Sequence, residues 1–268
     1  METYIKILAI LFTILIGLCV GSFLNVVIYR LPRHMSLAKP SSHCPKCQNP
    51  IKWYDNIPVL SYIFLRGRCR HCKQKISFRY PFVEILNAVL WFFALMFDTN
   101  IIFQSITPNY IMLGVHFVAI SCLICVAFCD FDNMEIPDEF QILLLICGIV
   151  SFLSGDAKDR VFGFLLVGGF FALFAGLFYL LRKKEGLGFG DIKLMAVLGL
   201  ILGFANTILT IILSTVIGAI VLLILSIKNK KEKDKEYPFA VFIAPCAIIA
   251  MFVGKFVVNW YISLLGIV

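Results

Sequence analysis

The stretch VAISCLICVAFCDFDNMEIPDEF, Val118 to Phe140, contains an uncharged run of twelve residues, then Asp130, then a proline seven positions later. Apolar residues without a polar face do not make a helix that lies half in water. The run reads as a helix buried in hydrocarbon that ends at Asp130. Pro137 suits a first helical turn, and Asp138 and Glu139 complement the dipole of that turn, so a second apolar helix starts there. A hairpin of this kind predicts a membrane bundle.

Working outward, the same composition recurs along the whole chain. Hydrophobic residues make up 60% of 268 positions, the mean hydropathy is +0.93 and 15% are charged, whereas a soluble domain is nearer half apolar. Charge-poor runs at about 5–29, 82–97, 110–129, 139–154, 161–181, 192–204, 205–227 and 238–266 approach the roughly 20 residues that cross a bilayer as helix. The expected fold is an all-α polytopic membrane protein of about eight transmembrane helices, with the runs near 82–97, 139–154 and 192–204 short. The opening METYIKILAILF lacks a small-residue cleavage site and reads as a retained first span.

The formal charge of +8 has a location that explains it. Of 24 Lys and Arg, eleven lie from Arg30 to Arg79, three are Arg182, Lys183 and Lys184, one is Lys193, and five lie from Lys228 to Lys235. With the N-terminus outside, all four places face the cytoplasm, as the excess of positive charge in cytoplasmic loops requires. The charge reports topology, and nucleic acid is not an expected partner. The lysine-rich KNKKEKDKE, Lys228 to Glu236, reads as a solvated loop.

Residues 31–81 form the one long polar interval, set between a first transmembrane helix at 1–30 and a transmembrane catalytic bundle at 82–268. Some fifty residues with few apolar side chains do not build a core unaided. Cys44-Pro-Lys-Cys47 and Cys69-Arg-His-Cys72, two pairs separated by 21 residues, supply the cross-link, since two such turns close a tetrahedron of thiolates around zinc. Four thiolates leave no open position, so the zinc is structural. His43 and His71 read as bystanders. Cys122, Cys125 and Cys129, at helical spacing in an apolar run, read as packed thiols.

Two carboxylates remain. Asp130 ends the third span, which runs outside to inside, and Asp191 in GLGFGDIKLM, Gly186 to Met195, opens the sixth from the inside. Both arrive at the cytoplasmic leaflet, and an ionisable group at membrane depth marks function. Two carboxyls in reach of one another share a proton, deprotonate water and protonate a leaving amine, which is aspartic-protease chemistry. Gly186, Gly188 and Gly190 leave room for a turn and an extended substrate. Lys193 either tunes Asp191 or snorkels. The glycines do not form a nucleotide loop, because no strand precedes them and no GKS or GKT follows. A proton- or cation-coupled transporter is the competing class, although such carriers place acids nearer mid-bilayer and show repeats.

With GSFLNVVIYRLP at Gly21 to Pro32, the two cysteine pairs, ISFRYPFVE at Ile76 to Glu84, DFDNMEIPD at Asp130 to Asp138 and GFGDIKLMAVLG at Gly188 to Gly199, the chain resembles the type IV prepilin peptidases. The resemblance covers nearly the whole chain. It implies an aspartic endopeptidase of the bacterial cytoplasmic membrane that removes the leader of prepilins and pseudopilins. It assigns catalysis to Asp130 and Asp191, the latter in the GxGD motif, with Lys193, Gly188 and Gly190 in support. A complete tetracysteine domain implies the bifunctional form, which methylates the new N-terminus with S-adenosylmethionine; a member that has lost methylation is the alternative. No dinucleotide-type motif marks a methyl-donor site, and Asn25, Arg30, Glu84 and Asn87, at the ends of the flanking spans, are the candidates. One departure is Val241 in PFAVFIAP, where the family tends to have a second proline.

Overall fold

Helix dominates because the backbone of an apolar chain in hydrocarbon must satisfy its own N–H and C=O groups, and a helix does so within one segment. The computed structural model describes residues 2–98, 110–154, 157–183, 188–228 and 237–264. Among these there is no β-strand beyond two isolated bridges. Gly186, Lys184 and most of the 228–236 loop lie outside the described residues.

The long helices are α1 (Glu2–Arg30), α3 (Arg79–Asp98), α4 (Tyr110–Asn133), α5 (Asp138–Ser154), α7 (Gly168–Arg182), α8 (Phe189–Leu202), α9 (Phe204–Lys228) and α10 (Ala240–Leu264), with short α2 (Leu60–Phe64) and α6 (Ala157–Phe162). Among the described residues six spans are long and apolar enough to cross a membrane: Thr3–Arg33, Arg79–Asp98, Tyr110–Asn133, Ala157–Leu181, Phe204–Ile227 and Ala240–Leu264. Helices α5 and α8, with 17 and 14 residues, reach about 26 and 21 Å at 1.5 Å per residue, short of the ~30 Å hydrocarbon core. Helix α1 shows Leu8, Leu11, Phe12 and Leu15 to its surroundings, as a span facing lipid does.

The chain divides into two compact units, Met1–Leu113 and Gly114–Val268. In the first, α1 packs along α3. The seam is built by absent side chains: a Cβ at Gly17 would sit 2.9 Å from Ala88 Cα, and one at Gly21 would sit 2.7 Å from Glu84 Cα. Glycines four apart let two backbones touch, and polar side chains then bond across. Asn87 Nδ2 donates to the Gly17 carbonyl at 2.8 Å, and Asn25 Nδ2 to the Tyr80 carbonyl at 3.1 Å.

In the second unit α8 is the central element, packed against α5, α7 and a π-helical turn at Gly163–Val167. A Cβ on Gly199 would meet the Gly163 carbonyl carbon at 2.5 Å and Phe164 N at 2.8 Å. Arg160 donates to the carbonyls of Leu200 and Ile201 at the end of α8, and Asp159 Oδ1 accepts from Phe204 N at 3.2 Å at the start of α9. Between those two anchors Gly203 takes φ +82°, so the chain turns from α8 into α9 at a residue without Cβ. The far end of α8 is thereby fixed, which matters for the carboxylate at its near end.

Candidate active site and metal centre

The metal centre is formed by two copies of one local device. In the first, Gln48 N donates to the Cys44 carbonyl at 2.8 Å and Cys44 N to the Asn49 carbonyl at 3.0 Å; in the second, Lys73 N donates to Cys69 at 3.0 Å and Cys69 N to Gln74 at 2.8 Å. Gln48 and Lys73 both take φ +58° to close these turns. The result aims all four sulfurs at one point. Cys44 and Cys72 Sγ are 3.8 Å apart, Cys47 and Cys69 Sγ are 4.0 Å apart, and all four lie within 4.8 Å of one another. Sulfurs at the corners of a tetrahedron with ~2.3 Å Zn–S bonds would be about 3.8 Å apart, which two of these distances approach, so the set is of a size that could close on one metal ion. The Cys47 backbone N–H bonded to the Cys44 sulfur holds that thiol down to about 6, whereas Cys72, despite a bond from the Gln74 backbone N–H, is pushed up to about 11 by burial and by the sulfurs of Cys69, Cys47 and Cys44; a metal needs all four as thiolates. His43 and His71 are not in this cluster. Arg70 clamps the second knuckle to the Trp53–Asn56 turn through a bidentate pair with Asp55, Nη2 to Oδ1 at 2.6 Å and Nε to Oδ2 at 2.8 Å.

The carboxylate site grows from two helix ends. Asp130 lies in the last turn of α4, is 6% exposed, and keeps Oδ2 buried with no hydrogen-bond partner among the described residues. Its carboxyl accepts the backbone N–H groups of Ala240 and Val241, the first residues of α10. Asp191 lies in the first turn of α8, with Oδ1 buried and without a hydrogen-bond partner among the described residues. The two carboxyls interact electrostatically. Gly188 precedes the helix with φ −60° and ψ 137°, a conformation open to any residue. Its role is space, because a Cβ there would stand 3.1 Å from Asp191 Oδ2. Gly190 is likewise outside the left-handed region and lies against Ile136, 3.4 Å from where its Cβ would be.

Lys193 is paired with Asp138 on α5, Nζ to Oδ1 at 2.7 Å, with its ammonium 4.8 Å from the Phe189 ring centre. Sequence reasoning did not single out Gln141, whose Nε2 donates to the Gly190 carbonyl at 3.0 Å, nor the Ala240 and Val241 amides. Three residues after Asp138, a glutamine reads in sequence as an ordinary helix-start residue.

The four candidates for a methyl-donor site all hold the first unit together. Asn25 and Asn87 cross-link α1 to α3 as above. Arg30 donates to the carbonyls of Ser36, Leu37 and Pro40 at 3.0, 3.3 and 2.7 Å, pinning the loop after α1. Glu84 Oε2 accepts Val59 N at 2.8 Å, and the Glu84 carboxylate also bonds to Ser22. Arg30 and Ser22 also line a cavity of about 380 Å³ with Phe23, Ser41, Ser42 and Asn56, a volume within the range of small-molecule sites.

Comparison with known proteins matches residues 15–97 to the bacterial peptidase A24 N-terminal domain and residues 117–223 to the type IV leader peptidase family. The first match contains the four cysteines and the second contains both aspartates. A prepilin leader peptidase/N-methyltransferase of Legionella pneumophila is 35% identical over 284 residues, covering 93% of each chain. Proteins of the same name from Aeromonas salmonicida strain A449 and Pseudomonas aeruginosa are 34% and 32% identical, covering 93% and 96% of this chain and 92% and 94% of their own. The chain belongs to the type IV leader peptidase family. It is therefore a multi-pass membrane enzyme of the peptidase class that name describes. No solved structure matches it.

Proposed function

We propose that this leader peptidase cuts the N-terminal leader from prepilins and pseudopilins at the cytoplasmic face, with Asp130 and Asp191 as the catalytic pair, and then methylates the exposed N-terminus. The observation that carries the reading is the pair of interacting carboxyls, each with a buried oxygen that has no hydrogen-bond partner among the described residues. Buried acceptors of this kind are costly unless something else donates to them. In a hydrolase the donors are water and a shared proton.

Like charges at close range keep one carboxyl protonated while the other is ionised. The ionised carboxylate removes a proton from water as the water oxygen bonds to the scissile carbonyl carbon, and the protonated carboxyl gives its proton to the carbonyl oxygen. The tetrahedral intermediate then re-forms C=O as one of its hydroxyls returns a proton to the carboxylate that had given one, the C–N bond breaks, and the leaving amine takes a proton from the carboxyl that had received one, so the pair again holds a single proton. The Ala240 and Val241 amides orient the Asp130 carboxyl, and the Lys193–Asp138 pair joins α8 to α5 beside it. The cytoplasmic orientation rests on the four basic loops and the N-terminus outside.

The metal that fits the four thiolates is zinc, held by Cys44, Cys47, Cys69 and Cys72 with no open position. It orders the 31–81 segment and takes no part in proteolysis. When bound, S-adenosylmethionine supplies a methyl group to the neutral amine of the new N-terminus. Its holding site is proposed as the cavity at the end of α1, where Ser22, Ser41, Ser42 and Asn56 offer hydrogen bonds and Phe23 an aromatic face. The reading is tested by incubating purified enzyme, prepilin and S-adenosylmethionine and weighing the mature pilin. Leader loss with a 14 Da gain supports both activities, and full cleavage without the gain removes methylation.

A further inference from the structure

We propose that Gln141 is a positioning residue of the peptidase site, holding the turn that bears Asp191 and presenting a third buried acceptor to the hydrolytic water. This rests on the peptidase reading above. Gln141 lies one turn into α5, is 6% exposed, and donates through Nε2 to the Gly190 carbonyl at 3.0 Å. Gly190 immediately precedes Asp191, so the amide of one helix fixes the first turn of the other.

The assignment of the amide atoms follows from the partner. A backbone carbonyl is only an acceptor, so the NH₂ must face Gly190 and the oxygen is left over. That oxygen, Oε1, is buried and has no donor among the described residues. It joins Asp130 Oδ2 and Asp191 Oδ1 as a buried acceptor without a partner among the described residues; Ser151 Oγ, the other such oxygen on α5, lies ten residues further along that helix, about 15 Å from Gln141. Asp191 and Gly190 share one turn of α8, and Asp130 interacts with Asp191, so the three belong to one locality.

Three buried acceptors are matched by a water and one acidic proton, which together carry three O–H bonds. The acidic proton is shared by the carboxyls; the water directs one O–H at the ionised carboxylate and the other at Gln141 Oε1. During attack the first water proton passes to the carboxylate, the second stays on the oxygen that has bonded to carbon, and Gln141 neither gains nor loses a proton. An apolar side chain of the same length removes both bonds and leaves the pair's ionisation unchanged in kind.

The test is steady-state cleavage of purified prepilin by the full-length enzyme and by Gln141→Met and Gln141→Asn, with thermal midpoints measured alongside. In Gln141→Met we expect kcat to fall by roughly tenfold or more, the scale of one lost catalytic hydrogen bond, with KM within about twofold and the midpoint little changed. Gln141→Asn restores an amide one methylene short and should recover part of kcat. Wild-type kcat in Gln141→Met, or a raised KM at constant kcat, overturns the proposal. If Gln141→Met does not fold, Gln141→Asn decides: kcat below wild type at unchanged KM supports the proposal, and wild-type kcat overturns it. Asp130→Asn and Asp191→Asn run in parallel; if they cut normally, the peptidase site itself is misassigned, whereas their loss beside normal Gln141 variants sinks this inference alone.

Discussion

The contact between Gly199 and Gly163 makes a quantitative demand on catalysis. A Cβ at Gly199 would lie 2.5 Å from the Gly163 carbonyl carbon, about 0.9 Å inside the 3.4 Å at which ordinary contact begins, and the obstructing atoms are backbone. Neither side can relieve the clash by a rotamer change. Gly199→Ala must therefore move α8 away from the π-helical turn by close to 1 Å, at a cost of about 1 to 3 kcal/mol of stability as for other overpacked contacts. Asp191 lies eight residues earlier on the same helix, about 12 Å along its axis, and a packed helix moves as a body. A misplacement of about 1 Å can reduce a rate a hundredfold. Prepilin cleavage by purified Gly199→Ala should fall by about ten- to a hundredfold, with a lowered thermal midpoint in detergent. Gly169→Ala is the control, because nothing lies within 4 Å of its would-be Cβ. Wild-type stability and kcat/KM in Gly199→Ala would refute the claim that α8 positions the site through this seam.

Three further outcomes follow from the first unit. Chelation, or Cys69→Ser, should release one zinc per chain, read by metal analysis, and render residues 31–81 protease-sensitive, because a structural metal is part of folding; a protected segment in a metal-free protein would contradict this. Arg70→Ala should lower the thermal midpoint at neutral pH. Hydrogen bonds from Arg70 hold Asp55 below the usual carboxylate value, so this contribution is complete above the unfolded value of about 4 and is lost as pH falls through the lower folded value; a wild-type-to-variant difference that grows on acidification would contradict it. Gly21→Ala should destabilise by about 1 to 3 kcal/mol by forcing α1 off α3, whereas Gly114→Ala, with open space around it, should be neutral in the same melt.

Much of this was legible in sequence because hydrocarbon leaves a chain few choices. Runs such as Val118 to Cys129 had to be helix, and Cys44, Cys47, Cys69 and Cys72 had a spacing that suits one metal. The short α5 and α8 resisted counting, since 17 and 14 residues fall below the length that marks a span by itself. The purpose of the glycines was legible only in part. Gly188 suggested a hinge, yet its φ is ordinary and it serves by leaving Asp191 room. Gly17, Gly21, Gly163 and Gly199 gave no local signal, because what they admit is another backbone far away in sequence. Gln141 and the amides of Ala240 and Val241 were invisible for the same reason: each acts on a residue 49 or more positions distant, or as a main-chain group without side-chain identity.

The central claim is that Asp130 and Asp191 work as one pair, and the most direct measurement is single-turnover cleavage of purified prepilin by wild type, Asp130→Asn and Asp191→Asn, each shown to be folded and zinc-loaded. Either substitution should remove nearly all cleavage while substrate still binds. Cleavage at the wild-type rate by either variant would contradict that claim.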